Sequence, residues 1–599
     1  MDTGAQTPGS WTTWLVIGML LAPIFFAYPL FLGIPLIDPD EGLHAAIAQE
    51  MAERGDWIMP RFVGEPFLDK PVLFTWCQAA SLRTFGMSEA AVRLPGMFFG
   101  LLGVVTTGLV AWRLFSPSVG TMAAAMYSVA VLPVALTQVP AHDVALVPWT
   151  NLAILLFWEA ERTESRRGMV WAVVGAGCVL GLACLTKGLM GFAIAGVAMG
   201  GYVVITRRLT WATCIRAALA LSLAVAIAAG WYIAMELRNP GYLYYYFVDR
   251  HLLGYATSSQ RHADEAWWFY LPILLFGGLP WTLYLPGALA DWWTRAIRHD
   301  EDCETAQERG TASNGMTLVL CWLVGNTLLL TLAGSKLVTY IWPVLPALVI
   351  VVAVHWNRIL NRQVAPPVEQ ISTATFHLAS LTGPLLLPLA LAVATAVLDV
   401  RFSAANWALA IAAGMTCLAP LALWRAQRRT AGLAAGILCI APQFAVALAV
   451  IGPPAAAVNS APDLARHINR LGRLPEQLVV VEDRIGSLVF YLDPRLRAEL
   501  KPDQLLTVRP YRMPEWSTSR HDTLVAVAKW ILPEAEEYFR FPPGGFLTAG
   551  RYRVYTAADL GLVFPGSDVA DRQPISQMAR STAAHTPRTG AASTHLPPR

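Results

Sequence analysis

Three acidic residues and one lysine lie near the ends of long apolar segments. Asp40 and Glu41 follow the first apolar run, Lys70 lies further along the same polar stretch, and Asp143 begins another apolar run. A carboxylate can orient or deprotonate a hydroxyl, and one placed at a membrane boundary is usually functional because its burial is costly. An ammonium group suits a phosphate ester as a point charge. Capping of a helix N-terminus by Asp40 and Glu41, and snorkelling of Lys70, are the alternative structural interpretations.

The polar stretch that holds these groups, residues 38–76, predicts two helices. After the acidic pair, Leu43, Ile47 and Met51 recur at i/i+4 spacing with charges on the opposite face, which is typical of an amphipathic helix. Such a helix would lie along a membrane surface. A second, aromatic-rich helix is predicted to open at Pro71.

The composition is that of a polytopic membrane protein. The 599 residues are 55% hydrophobic and only 14% charged, whereas soluble domains have about 25% charged residues. A net charge of +3 is too small to indicate nucleic-acid binding, and the eight cysteines have no CxxC spacing that would indicate a disulfide framework or a zinc site. Because no phosphate-binding glycine motif is present either, no nucleotide is expected.

About thirteen membrane spans are predicted from apolar runs of about twenty residues. Their centres fall near Ile24, Val104, Ala125, Ile154, Val179, Val197, Ala224, Leu275, Val324, Leu345, Leu387, Ile411 and Cys439. Every second connection is basic, which places the N-terminus in the cytoplasm and the C-terminus outside by the positive-inside rule. The basic connections hold Arg113, Arg162, Arg166, Arg167, Arg207, Arg208, Arg295, Arg298, Arg358, Arg362, Arg425, Arg428 and Arg429.

The predicted fold class is therefore an all-α polytopic membrane protein with a small C-terminal periplasmic α/β domain. The domains are expected at residues 1–455, with a periplasmic first loop at 37–93, and at 456–565, followed by a disordered tail at 566–599. Four short apolar runs in the second domain predict strands. They are residues 478–483, 487–492, 523–530 and 551–556.

The first loop resembles that of the polyprenyl-phosphate-sugar-dependent membrane glycosyltransferases, the aminoarabinose (lipid A) transferase and protein O-mannosyltransferase-like family. The resemblance covers roughly residues 14–350. The sequence departs from the family pattern at two positions: His44 stands where a Tyr is usual, and Asp69 stands where Glu is commoner. The matching residues are Asp40, Glu41, Gly42, Ala48, Glu50, Met51, Gly55, Asp56, Trp57, Pro60, Gly64, Pro66, Phe67, Asp69, Lys70, Pro71, Leu73 and Trp76.

The resemblance implies a GT-C-like fold of the bacterial inner membrane and an inverting sugar transfer. The donor would be a polyprenyl (undecaprenyl) phosphate sugar, and the acceptor lipid A, another envelope glycolipid or glycan, or a protein. Asp40 would act as general base or position the acceptor, Asp143 would assist it, and Lys70 would hold the donor phosphate. A hydroxyl acceptor needs a base, whereas a phosphate acceptor would leave Asp40 a positioning role.

Further substrate contacts are expected from residues at family landmarks. The additional candidates are Glu41, Lys187, Arg250, Lys336 and Tyr340. Lys187 and Lys336 could instead be interfacial anchors. Asp69 and His251 stand where some family members hold a divalent metal, although two ligands are too few to specify one.

Other positions have simpler interpretations. His44 is either a substrate-specific contact or an interfacial residue, and the tyrosines between Tyr242 and Tyr246 predict an aromatic belt. Arg261 and His262 also follow the family pattern.

Two other classes of function remain open. A transporter or flippase for lipid-linked sugars would share the helices and the intramembrane charges, but broken helices in matching halves would be expected and no internal repeat stands out. A noncatalytic envelope-assembly protein would tolerate loss of the Asp40 carboxylate. The sequence does not identify the sugar or the acceptor.

Overall fold

The computed structural model describes most of the chain as helices. The described residues are 9–139, 142–253, 255, 265–298, 314–481, 485–508, 522–537, 539–542, 544–556 and 560–562. The tail predicted at 566–599 and the pair Arg261 and His262 lie outside them. The chain divides into two compact units, the first made of residues 1–474, 483–503 and 549–551.

The first unit begins with ten helices. They are α1 Gly9–Phe26, α2 Asp40–Arg54, α3 Leu73–Phe85, α4 Glu89–Leu114, α5 Pro117–Ser128, α6 Val131–Thr137, α7 His142–Arg162, α8 Arg166–Lys187, α9 Leu189–Ile205 and α10 Trp211–Arg238. A two-stranded hairpin, β1 Arg61–Phe62 and β2 Glu65–Pro66, lies between α2 and α3. A π-helical segment, Tyr244–Leu253, follows α10.

Nine further helices of the first unit lie between residues 270 and 450. They are α11 Tyr270–Gly277, α12 Leu285–Arg298, α13 Asn314–Thr331, α14 Leu345–Leu360 with a 3₁₀ turn at Val338–Val344 before it, α15 Pro366–Leu398, α16 Ala404–Met415, α17 Leu418–Arg425, α18 Arg429–Leu438 and α19 Ile440–Val450. Within the described residues ten helical segments are long and apolar enough to cross a membrane, or up to twelve if each of two bent pairs is one span. The protein is thus multi-pass. Among the predicted centres, Ala125 and Leu275 fall in the two bent pairs, and Val197 falls on a shorter apolar helix, α9.

Close backbone contacts and paired polar groups join the helices around α7. A side-chain carbon at Gly108 of α4 would lie 3.0 Å from the carbonyl oxygen of Gly120 in α5, so only glycine permits this approach. Buried Asn151 of α7 donates to the hydroxyls of Thr106 and Thr107 in α4, each at 3.1 Å. Such interhelical hydrogen bonds satisfy polar groups that lipid cannot. They fix α7, which begins with a candidate site residue.

Helix α2 is more deeply buried than its sequence predicts. Asp40 and Glu41 lie in its first turn, where they complement the helix dipole, and Gly55 ends it at φ 70°. Leu43, Ile47 and Met51 are buried as the spacing requires, but every residue from Glu41 to Gln49 is buried as well. The prediction of a one-sided surface helix is therefore wrong, because protein rather than lipid headgroups surrounds α2.

The first unit ends with four short helices, and one of them corrects a predicted strand. They are α20 Gly452–Val458, α21 Pro462–Leu471, α22 Gly486–Tyr491 and α23 Pro494–Glu499. The strand predicted at 487–492 is α22, whose residues Gly486 to Phe490 are all buried. A short apolar run without alternation does not distinguish a strand from a buried helix. Here the segment forms a buried helix that packs against α2.

The second unit comprises residues 475–482, 504–548 and 552–599. Its principal sheet has the strand order β4-β3-β5-β8-β7. Strands β6 and β9 form a separate two-stranded sheet. The strands are β3 Gln477–Val481, β4 Leu505–Val508, β5 Thr523–Ala528, β6 Phe539–Arg540, β7 Leu547–Ala549, β8 Tyr552–Thr556 and β9 Gly561–Leu562, with one helical turn, α24 Leu532–Ala535. The buried run of β3 pairs in parallel with both β4 and β5. The predicted domain at 456–565 thus contains segments, 456–474 and 483–503, that pack as part of the first unit.

Candidate active site

A buried ion pair joins the start of α7 to the end of α8. Asp143 is in the first turn of α7 and Lys187 is the last residue of α8, and both are almost fully buried. The Lys187 ammonium binds the Asp143 carboxylate and lies 4.0 Å from the centre of the Tyr340 ring. The structure therefore brings together three predicted site residues from distant parts of the chain. Charged groups at such depth are usually functional.

A glycine at the end of α8 allows this arrangement. Gly188 has a φ of 63°, a conformation that L-residues with side chains rarely adopt. A side-chain carbon here would lie 2.7 Å from the Tyr246 hydroxyl oxygen and 2.9 Å from His251 Nε2. The chain can thus turn from α8 into α9 and carry Lys187 beside the π-helical segment.

A second carboxylate is held by that segment. The Tyr245 hydroxyl donates to Asp69 Oδ1 at 2.8 Å, and Arg250 Nη2 lies 3.2 Å from Asp69 Oδ2. These contacts hold the loop that carries Lys70. The sequence predicts that the tyrosines of this segment form an aromatic belt at the membrane surface. This prediction is wrong for Tyr242 and Tyr246, which are 1% exposed and pack against Tyr232 in the core.

Lys70 completes a group of cations. Its ammonium is an electrostatic neighbour of Lys187, His142 and His251. Within the described residues Lys70 forms no ion pair and is partly exposed. Arg250 is also close, because it pairs with Asp69, the residue before Lys70. The positive charges of Lys70, Lys187 and Arg250 favour binding of an anion in this region. Lys336 is buried, and its Nζ lies 3.4 Å from the Glu265 carbonyl oxygen rather than against Asp143 or Asp69.

Asp40 lies on the exposed end of α2 and makes no ion pair with any described residue. One turn later, His44 contacts the ring of His142, with 4.6 Å between the two ring centres. His142 directly precedes Asp143. The contact between the two histidines therefore joins the helix of Asp40 to the Asp143–Lys187 pair. His44 is 8% exposed, so of its two interpretations the one as an interfacial residue is wrong.

Glu41 is a structural anchor of α2. It is fully buried, accepts from Arg93 Nε at 2.7 Å and Nη2 at 3.1 Å, and also accepts from the Ile37 backbone N–H at 2.7 Å. Arg93 in turn donates to the Ile34 and Pro35 carbonyl oxygens at 2.6 and 3.1 Å. Burial raises the pKa of Glu41, against the opposing effect of the Arg93 guanidinium. These contacts place Glu41 behind the site, whereas the sequence predicts a substrate contact.

Helix α22 holds α2 from its other side. The Ser487 backbone N–H donates to Asp38 Oδ1 at 2.9 Å, and the Ser487 hydroxyl donates to the same carboxylate. Gly42 and Gly486 face each other so closely that a side-chain carbon on Gly486 would overlap the backbone of Gly42 and Leu43. The turn that presents Asp40 is thus fixed by a segment far away in the sequence.

Known proteins are similar to this chain in sequence and in fold. Residues 69–233 match the family described as dolichyl-phosphate-mannose-protein mannosyltransferase. The chain is 31% identical over 348 residues to an undecaprenyl phosphate-alpha-4-amino-4-deoxy-L-arabinose arabinosyl transferase of Edwardsiella ictaluri, and 33% identical over 339 residues to that of Pseudomonas savastanoi pv. phaseolicola. In sequence the chain is thus similar to the undecaprenyl phosphate-aminoarabinose transferases.

The extent of these similarities differs between sequence and structure. The two sequence matches cover 58% and 56% of this chain and 60% of each relative. The crystal structure of ArnT from Cupriavidus metallidurans bound to undecaprenyl phosphate has a TM-score of 0.68 at 21% identity, covering 94% of this chain and 100% of that one. The GT-C-like fold is thereby confirmed over nearly the whole chain, whereas the sequence relationship spans about three-fifths of the curated relatives.

The donor set does not fit the metal that the family resemblance implies. The Asp69 carboxylate is paired with Arg250, and the two nitrogens of His251 face the carbonyl oxygens of Tyr246 and Lys187. In the parts of the chain that the structure describes, no group of three or more His, Cys, Asp or Glu could hold a metal ion. The metal stays a prediction, and no chemical step below depends on it.

His251 should make stability depend on pH. Burial lowers its pKa, and the nearby charges of Lys70 and Arg250 act in the same direction. The folded pKa then lies below the unfolded value of about 6.5, so the stabilisation is present above that pH and is lost as the pH falls towards the folded pKa. The loss is at most about 1.4 kcal/mol per pH unit.

Thermal unfolding in detergent at several pH values between 8 and 5 would measure this effect. His251→Gln should flatten the acid limb of the pH profile, and His467→Gln, on helix α21, is the control substitution. Equal acid limbs for His251→Gln and the unsubstituted protein would contradict the assignment.

His142 is the candidate site residue that sequence reasoning misses. It is 2% exposed and contacts both His44 and Phe74. Its adjacency to Asp143 was the available signal, but a lone histidine at a helix start has no distinctive spacing. The sequence also gives no sign of the role of Arg93, because its partner Glu41 lies 52 positions away.

Proposed function

We propose that this protein is an inverting glycosyltransferase that moves a sugar from a polyprenyl phosphate to an acceptor at the outer face of the bacterial inner membrane. The observation that carries the proposal is the buried Lys187–Asp143 pair beside Lys70, joined through two histidines to the helix of Asp40. It supplies cations for a phosphate and a carboxylate for an acceptor. The names of the relatives support the same class of donor.

The cations would hold the donor phosphate. Lys70 acts electrostatically on Lys187, and a phosphate bound beside both would add negative charge to that which Asp143 now supplies to Lys187. During transfer the bond between the anomeric carbon and the phosphate oxygen breaks, and the bonding electrons stay on the phosphate. Fixed positive charge stabilises this leaving group without rearrangement of solvent.

Asp40 would serve the acceptor. The acceptor oxygen attacks the anomeric carbon from the side opposite the phosphate, which inverts the configuration. If the acceptor is a hydroxyl, Asp40 takes its proton, and if it is a phosphate, Asp40 only orients it. The exposed position of Asp40 and its lack of an ion pair with any described residue leave the carboxylate available for either role.

The orientation follows from charge. The basic connections predict that the loop between α1 and α4 faces outward. A donor carried across the membrane on a lipid would reach such a site, and this supports a polyprenyl-linked sugar over a cytoplasmic nucleotide sugar.

Comparison of envelope lipids and glycans by mass spectrometry tests the function. Cells lacking the protein should lose one glycosylated species and accumulate its polyprenyl-phosphate-linked sugar, and restored cells should regain the product. The mass difference identifies the sugar. An accumulating donor confined to the cytoplasmic leaflet would instead favour a transporter, and an unchanged envelope would argue against both.

Replacement of Lys70 by Met should weaken binding of undecaprenyl phosphate about 10- to 100-fold, the range for a lost hydrogen bond to a charged group. Lys70 makes no ion pair with a described residue, so its removal leaves no buried partner charge. Lys529→Met, at an exposed position, is the matched control. Binding to purified protein in lipid nanodiscs would measure both, and unchanged affinity in Lys70→Met would exclude a phosphate contact.

A further inference from the structure

His142 is a buried polar side chain that the proposed transfer does not use. It is the first residue of α7 and is 2% exposed. Neither ring nitrogen has a hydrogen-bond partner among the described residues. An unpaired buried polar group costs about 1–3 kcal/mol, and each such group in a folded protein calls for an explanation.

Packing alone does not explain this histidine. Its ring lies among aromatic neighbours, with ring centres 5.2 Å from Phe74 and 4.6 Å from His44. A phenylalanine would fill this place with similar contacts and without two unpaired nitrogens. The polar atoms therefore point to a partner that arrives from outside the chain.

The position of His142 defines which part of a substrate could arrive there. On one side it contacts the helix of Asp40 through His44, and on the other it precedes Asp143, whose carboxylate is bound by Lys187. Lys70 is a further charged neighbour. His142 is thus linked on one side, through His44, to the helix of the proposed acceptor carboxylate and on the other side, through Asp143, to the proposed phosphate cations. In a polyprenyl-phosphate-linked donor, the group between acceptor and phosphate is the sugar.

The chemistry of the ring selects the kind of sugar group. The nearest carboxylate along the chain, that of Asp143, is engaged by Lys187, so we treat the imidazole as neutral, with one N–H donor and one acceptor nitrogen. A hydroxyl both donates and accepts and can bind either nitrogen. An ammonium only donates, and it would also add a cation beside Lys70 and Lys187.

We propose that His142 binds an uncharged hydroxyl of the sugar carried by the polyprenyl phosphate and so contributes to sugar selectivity. This inference rests on the proposed function. It differs from that function in assigning a separate subsite, for the sugar rather than the phosphate, to a residue outside the acidic and basic motifs.

The test compares three lipids on full-length protein in nanodiscs. They are bare undecaprenyl phosphate, undecaprenyl phosphate linked to a neutral hexose, and undecaprenyl phosphate linked to 4-amino-4-deoxyarabinose. His142→Phe should lose about tenfold in affinity for the hexose-linked lipid, as expected for one buried hydrogen bond, and keep its affinity for the bare lipid. His142→Asn retains a donor and an acceptor and should stay within about threefold. His377→Phe, at a histidine of α15, is the matched control.

Thermal unfolding without lipid provides a second measurement. Because His142→Phe removes two unpaired polar atoms and keeps a ring, it should leave Tm unchanged or raise it. A fall in Tm with unaltered lipid affinities would make His142 a packing residue and overturn the inference.

The remaining outcomes separate the two proposals. Equal losses for the bare and the hexose-linked lipids, or no loss for either, would overturn the sugar subsite but leave the phosphate site standing. A preference for the amino sugar that disappears in His142→Phe would overturn the assignment to a hydroxyl. If the unsubstituted protein binds none of the three lipids, the proposed function fails and this inference fails with it.

Discussion

Replacement of Asp40 by Asn should lower kcat by about 10²- to 10⁴-fold, the range for loss of a general base. The substitution keeps the size of the side chain and removes its charge and its ability to take a proton. Because Asp40 is exposed and unpaired among the described residues, the free energy of unfolding should stay within about 0.5 kcal/mol. Affinity for undecaprenyl phosphate should be retained, since the proposed phosphate cations lie on other elements.

The decisive measurement is single-turnover transfer from the purified donor, with lipid binding measured on the same preparation. Asp399→Asn, at an exposed position after α15, is a control for the loss of one negative charge. Full activity of Asp40→Asn with a hydroxyl acceptor would show that Asp40 is not the base. A loss of tenfold or less with a phosphate acceptor would indicate the positioning role instead.

Replacement of Gly486 by Ala should lower activity about 100-fold, although Gly486 is outside the proposed catalytic groups. A side-chain carbon here would overlap the backbone of Gly42 and Leu43, and backbone does not yield as a flexible side chain does. Helix α2 would have to move, and Asp40 is in its first turn. A displacement of about 1 Å costs about 100-fold in a positioned reaction. Overpacking should also destabilise the protein by about 1–3 kcal/mol.

The control for this substitution is Gly230→Ala in α10, where no heavy atom lies within 4 Å of the added carbon. It should keep its activity and gain slightly in helix stability. Thermal unfolding and single-turnover transfer, measured together, separate positioning from unfolding. Normal activity of Gly486→Ala would mean that α22 does not determine the position of α2.

Local sequence features predict the membrane fold well, because hydropathy is read from neighbouring residues. Each predicted span centre lies on an apolar helix, and Asp143, Lys187 and Tyr340 do meet. The boundaries of burial were harder to predict. The spacing of α2 indicates an exposed face, but tertiary contacts with α22 and Arg93 cover it.

Long-range pairing explains most of what the sequence did not reveal. Nothing in the sequence links Glu41 to Arg93, or Asp69 to Arg250, and the structure pairs both. The segment 487–492 contains residues common in strands, but it forms a helix that packs against α2. In each case the partner that decides the outcome is far away in sequence.

The hydrogen bond between Asp38 and Ser487 spans 449 positions of the chain, and this has a consequence for biogenesis. At about 5–20 residues per second, synthesis of the intervening chain takes about 20–90 s. During that time α2 has been made but lacks its partner helix. The turn that carries Asp40 is therefore held in place only after α22 has been made. If the protein is the proposed transferase, this delay would keep incomplete chains from consuming lipid-linked donor.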